Sequence, residues 1–159
     1  MHREQIRRVM IGVNIIEGSY DEISRRLGVK ENLLVLLYAL DDGRAHSQVE
    51  ISRNWMMPRT TLNTIVKECV AKGLVTLEPQ PHTREKYLRL TPEGQAWGQK
   101  ILPPVYEAEQ RAFEEVLGQR GEAFVEGFEA FARALCREMG LPDPRKEKSC
   151  GENAFGQEF

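Results

Sequence analysis

The sequence is short of the features that staple, anchor or catalyse. Its three cysteines, Cys69, Cys136 and Cys150, are odd in number and contain no CxxC pair. That excludes a disulfide framework and a thiolate zinc cage, and it fits a reducing compartment. The three histidines, His2, His46 and His82, are too dispersed to outline a metal site. The longest unbroken apolar run, Leu33 to Leu40, is far too short to cross a bilayer. The opening Met1-His2-Arg3-Glu4-Gln5 lacks the apolar core of a signal peptide, so a cytoplasmic protein with no membrane contact is expected. Also missing are GxSxG, HExxH, a glycine-rich phosphate loop and an EF-hand pattern. No nucleophile, base and orienting group assemble, so an enzyme is not expected, nor is a cofactor.

What is present suits an ordinary globular chain. Its 159 residues are 41% hydrophobic and 29% charged, enough to bury a core in a single domain. The net charge of −2 is unevenly spread: residues 44–90 carry eight basic and four acidic side chains, residues 91–139 five and nine. Phosphate attraction acts over about 10 Å at moderate salt, so a basic middle between acidic ends can serve a nucleic-acid reader.

Apolar spacing predicts helices almost throughout. Ile6, Val9, Met10, Val13, Ile16, Tyr20, Ile23 and Leu27 recur every three or four residues, one face of a helix from about Arg3 to Leu27. A helix this long buries its stripe on a second long helix or a second chain. Glu31 to Leu40 is apolar all round and reads as a buried central helix. Ser47-Gln48-Val49-Glu50 has the form of a capping box, in which the serine accepts from the glutamate amide and the carboxylate reaches back; a helix to about Trp55 follows. Pro58 then suits a first helical position, and Leu62, Ile65, Val66, Cys69 and Val70 form the inward stripe of a helix to Ala71 or Lys72. Leu74–Glu78 and Lys86–Leu90 read as strands around the loop 79–85, whose two prolines are expected to keep it out of any sheet. Thr91-Pro92 starts another helix, Pro103-Pro104 breaks it, and Phe124, Phe128, Phe131 and Leu135 mark a last amphipathic helix. From residue 140 onward, prolines and mixed charge predict a flexible tail.

With its apolar stripe turned inward, the helix after Pro58 shows Arg59, Thr60, Thr61, Asn63, Thr64 and Lys67 to solvent. Short hydroxyls, an amide and two cations can approach base edges and phosphates in a major groove. His82, Arg84 and Lys86 on the projecting loop are candidates for the neighbouring minor groove or backbone. A merely solvated helix face would look similar. Tyr38 and Trp55 suit either a ligand pocket or the core.

Four fragments, Ser47-Gln48-x-Glu50-Ile51, Pro58-Arg59-Thr60-Thr61-Leu62-Asn63-Thr64-Ile65-Val66, Lys72-Gly73-Leu74-Val75 and Leu90-Thr91-Pro92-Glu93-Gly94, together resemble the MarR family of bacterial transcriptional regulators. The family's acidic residue before the wing arginine is replaced here by Thr83. The resemblance implies a mainly α fold with a small two-stranded antiparallel wing, a winged helix–turn–helix flanked by dimerisation helices. Residues 1–139 would form one unit, with 1–27 and 92–139 as dimerisation helices and 31–90 as the DNA-binding lobe. It further implies a homodimer on double-stranded DNA at a pseudo-palindromic operator. Repression would be relieved by a small, often aromatic or anionic, effector. Family members that sense peroxide through cysteine carry it near the N-terminus, where this chain has none, so Cys136 and Cys150 are left without a role. Two other readings stay open: a ligand-independent architectural DNA binder, and a helical interaction protein that has lost DNA binding.

Overall fold

The computed structural model describes residues 2–79 and 85–141. The described residues divide into two compact units, one ending at Val116 and one beginning at Leu117. In the first, helix α1 (Arg3–Arg26) is followed by α2 (Glu31–Leu40), strand β1 (His46–Ser47), α3 (Gln48–Asn54) and α4 (Arg59–Ala71). Strands β2 (Val75–Pro79) and β3 (Lys86–Leu90) lead to α5 (Pro92–Ile101) and α6 (Pro103–Val116). The second unit has a short 3-10 turn, Gly118–Arg120, and α7 (Gly121–Glu138).

These bounds fall where local chemistry puts them. After α1 and α4 the chain turns through Gly28 and Gly73, whose φ of 69° and 70° only glycine adopts freely. The turned chain returns its amides to the helix ends, Val29 N–H to Ser24 C=O and Leu74 N–H to Cys69 C=O. Ser47 caps α3 by accepting from the Glu50 amide at 3.0 Å. The Glu50 carboxylate turns to the His46 ring, 3.5 Å from Nδ1, so the serine arm of the expected box is made and the carboxylate has another partner. Thr91 caps α5 through the Gly94 amide and donates its hydroxyl to the Gly73 carbonyl, fastening α5 to the end of α4. Pro58 stands at the N-cap of α4, one place earlier than expected.

The sheet corrects the sequence reading in two ways. It has three antiparallel strands in the order β1-β3-β2, because His46 and Ser47 pair with Leu88 and Tyr87 on the free side of β3. Pro79 belongs to β2 and faces Lys86 across the ladder. A proline is tolerated there because β2 is an edge strand and needs no donor on its open side.

One core unites this lobe. Leu34, Leu36, Leu37 and Leu40 of α2 are fully buried with Ile51, Leu62, Leu88 and Leu102, and Val66, Cys69, Val75 and Leu90 close around them. Each such leucine contributes about 1.5–3 kcal/mol relative to exposure. α2 is thus apolar on every side because α1, α3, α4 and the sheet surround it. Val70, expected inside, is exposed on α4. The N-terminal part of α1 leaves Ile6, Val9, Met10, Ile11, Ile15 and Ile16 exposed, Ile15 by 64%. In the second unit Phe124 and Phe128 are also exposed, their rings stacked 5.9 Å apart.

Candidate nucleic-acid interface

α3 and α4 form a helix–turn–helix whose turn, Trp55 to Pro58, is set by one unusual residue. Met56 adopts φ 48°, the left-handed region, and stands 79% exposed. Beside it Met57 is buried, and its carbonyl accepts from the Ser52 hydroxyl at 2.7 Å. The turn aims α4 so that Leu62, Ile65, Val66 and Cys69 enter the core.

The opposite face is the one expected from spacing. Arg59, Thr60, Asn63, Thr64 and Lys67 are exposed, whereas Thr61 is half-buried. The Thr64 hydroxyl donates to the Thr60 carbonyl at 3.0 Å, which holds its side chain along the helix. Glu68, the first acid along α4, is engaged by Lys30 at 3.2 Å. Among the described residues no acid pairs with Arg59 or Lys67. At the start of α4, no side chain caps the first amides, so they and the positive end of the helix dipole meet solvent beside Arg59.

Between α4 and the hairpin lies a groove of about 570 Å³, lined by Asn63 and Lys67 of α4, by Glu85 and Lys86 of the hairpin and by the apolar Val66, Val70 and Leu77. Lys86 is exposed at the start of β3. His82 and Arg84 lie outside the described residues, as do Cys150 and the expected tail from residue 142. Arg89 contributes to the basic middle of the sequence but is used internally: it bridges Glu78 at 2.8 Å and donates to the Gly43 carbonyl at 2.6 Å.

Sequence reasoning missed a second cluster, which joins the long helices to the lobe. Glu109 on α6 accepts from the Tyr20 hydroxyl of α1 and, at 3.1 Å, from the Tyr38 hydroxyl of α2. Tyr106 donates to Asp41 at 2.8 Å, and its ring meets that of Tyr38 edge-on at 5.3 Å. Burial, reinforced by the Glu109 carboxylate, pushes the Tyr38 phenol up to about 12. Tyr20 is raised by burial and by Glu109, Tyr106 by burial and by Asp41. The partners are up to 89 residues apart in sequence. Only the apolar periodicity that places these helices side by side hints at the contact. Cys69 is buried, and desolvation raises its thiol. Among the described residues no three His, Cys, Asp or Glu side chains gather to hold a metal ion, and no helix is long and apolar enough to cross a membrane.

A tri-helical core, a helix–turn–helix with an open polar face and a three-stranded sheet define a winged helix. The sequence profile of the MarR family matches residues 27–84, most of this lobe. The fold extends beyond the matched segment. A MarR family regulator from Neisseria meningitidis superposes with a TM-score of 0.75 at 20% identity, over 86% of this chain and 96% of that one. The transcriptional regulator BldR from Sulfolobus solfataricus gives 0.66 at 19% identity, over 81% and 94%. Staphylococcus aureus MarR, solved with salicylate and kanamycin, gives 0.65 at 16% identity, over 86% and 93%. No curated protein matches the chain in sequence. The fold is therefore one carried by transcriptional regulators.

Proposed function

We propose that the chain is a ligand-responsive transcriptional regulator that binds double-stranded DNA as a two-fold homodimer. The observation that carries the reading is the exposed face of α4, where Arg59, Thr60, Asn63, Thr64 and Lys67 form an acid-free surface of short polar and cationic groups. Asn63 and Thr64 would read base edges, Arg59 and Lys67 would meet phosphate, and Thr61, half-buried, would contribute through its outer edge. His82, Arg84 and Lys86 would extend the contact along the wing.

The apolar surface left open on α1 supports the dimer. Ile6, Val9, Met10 and Ile16 share one face of α1 that a monomer would leave in water, and Ile15 of α1, Phe113 and Val116 of α6 and Phe124 and Phe128 of α7 are exposed as well. Residues 1–27 and 92–139 would be the dimerising helices and 31–90 the DNA-binding lobe. A two-fold axis would set two copies of α4 about 34 Å apart, one turn of duplex. Binding over a promoter would block polymerase. A small aromatic ligand that favours a mismatched spacing would release the DNA, and each tenfold change requires about 1.4 kcal/mol of differential affinity.

A mobility-shift titration against the duplex upstream of the protein's own gene, at two salt concentrations, tests this. Affinity should fall about a thousandfold or more between roughly 50 and 200 mM salt if about six phosphates are neutralised. No shift at low salt would favour a helical interaction protein instead. Normal operator affinity with no ligand response would favour an architectural binder.

A further inference from the structure

A second cavity, of about 280 Å³, opens where the end of α2, strand β1 and α3 meet. Its walls are Tyr38 and Trp55, whose rings meet edge-on with centroids 5.4 Å apart. Trp55 is 41% exposed at the rim, an aromatic that the core leaves unused. Opposite the rings stand Asp42 and Glu50, with the His46 ring between them. His46 Nε2 lies 2.9 and 3.0 Å from the two Asp42 oxygens, and Nδ1 lies 3.5 Å from Glu50. No lysine or arginine lines the cavity. Even with His46 protonated, the lining therefore keeps a net negative charge.

Aromatic faces and a lining with more carboxylates than cations select one kind of ligand. A cation is drawn both to the ring quadrupole and to the carboxylates, whereas an anion is repelled by both. We infer that this cavity takes a small aromatic ammonium compound, its charge beside the Asp42 and Glu50 carboxylates that flank His46 and its ring against Tyr38 and Trp55. The inference rests on the regulator reading for its purpose, since this would be the effector site. It departs from the salicylate found in the Staphylococcus aureus relative, which is an anion. The site is also placed to act at a distance. Tyr38 forms its wall with one face and with its hydroxyl holds Glu109, which also holds Tyr20 of α1. A ligand that displaces the Tyr38 ring thus disturbs the junction between the lobe and the long helices.

Isothermal titration calorimetry on the full chain without DNA tests the charge selection. The probes are 2-phenylethylammonium and phenylacetate, which share a ring and differ in charge. The ammonium should bind saturably, one per chain, and phenylacetate at least about tenfold more weakly. Glu50→Gln should weaken the ammonium about tenfold, and Asp42→Asn should do the same independently, with far-ultraviolet circular dichroism unchanged in both. Phenylacetate binding as tightly as the ammonium would overturn the inference. So would ammonium affinity indifferent to both substitutions, or no saturable heat from the ammonium. Because no duplex is present, failure here is distinct from failure of the DNA-binding reading, which the mobility shift scores.

Discussion

Gly94 is the third residue of α5, and no larger residue fits there. A Cβ built on it would stand 2.0 Å from the Leu74 carbonyl oxygen and 2.9 Å from its carbon. These are backbone atoms held in place, because the same oxygen accepts from the Thr91 amide at 3.1 Å. Gly94→Ala would on propensity alone stabilise a helix by up to about 1 kcal/mol. Against this, α5 must move by more than an ångström relative to the base of β2, or the Leu74–Thr91 bond must open. Overpacking costs about 1–3 kcal/mol and sometimes more, and a lost backbone bond about 1 kcal/mol. The net expectation is destabilisation by about 2–4 kcal/mol. With an m-value of about 2 kcal/mol/M, the urea midpoint should fall by about 1–2 M at fixed protein concentration. One turn later, Gly98 provides the control: its Cβ would meet nothing closer than 3.8 Å. Gly98→Ala should therefore raise stability by about 0.5–1 kcal/mol. If Gly94→Ala unfolds at or above the wild-type midpoint, the close approach that fixes α5 on the wing does not exist.

Other expectations concern the turn, the tyrosine cluster and the polar face. Met56→Gly should relieve left-handed strain at the helix–turn–helix and stabilise by about 1 kcal/mol in urea unfolding; a lower midpoint would contradict the strain. Tyr38→Phe removes a bond to a carboxylate and should cost about 1–2 kcal/mol, while in a Glu109→Leu background the same change should cost much less. A phenol with a raised folded value stabilises the protein fully below its ordinary value and loses that contribution as pH rises through the folded one. Tyr20, Tyr38 and Tyr106 should accordingly ionise only well above pH 10 in the native protein, and an ultraviolet titration completed near pH 10 would refute their burial. Lys67→Ala should weaken binding to every duplex alike and reduce the salt slope by about one unit per site; an unchanged slope would remove it from the phosphate contacts.

Much of this architecture was legible in the sequence because it rests on short-range rules. The helices follow the apolar stripes, and Ser47, Thr91, Gly28 and Gly73 mark their ends through bonds within a few residues. The polar face of α4 was legible for the same reason: once Leu62, Ile65 and Val66 turn inward, geometry leaves Arg59, Asn63 and Lys67 outside. What escaped depends on distant neighbours. Two residues, His46 and Ser47, carry no strand signal and become one only beside β3. Pro79 joins the ladder because its strand has a free edge. Val70 lies on the boundary of the α4 stripe, and its exposure is decided by the groove beside the hairpin. The Tyr20–Glu109–Tyr38 junction unites residues up to 89 positions apart, so no local pattern could announce it. The pocket residues Tyr38, Asp42, His46 and Glu50, though four apart, lie on α2, a turn, β1 and α3 rather than on one helix.

Hydroxyl-radical footprinting on the duplex flanking the protein's own gene tests the central claim most directly. Two protected clusters, centred about ten base pairs apart and lost together in Asn63→Ala combined with Lys67→Ala, are predicted for a dimer presenting α4 twice. Absence of protection at low salt, or a footprint that this double substitution leaves intact, would contradict it.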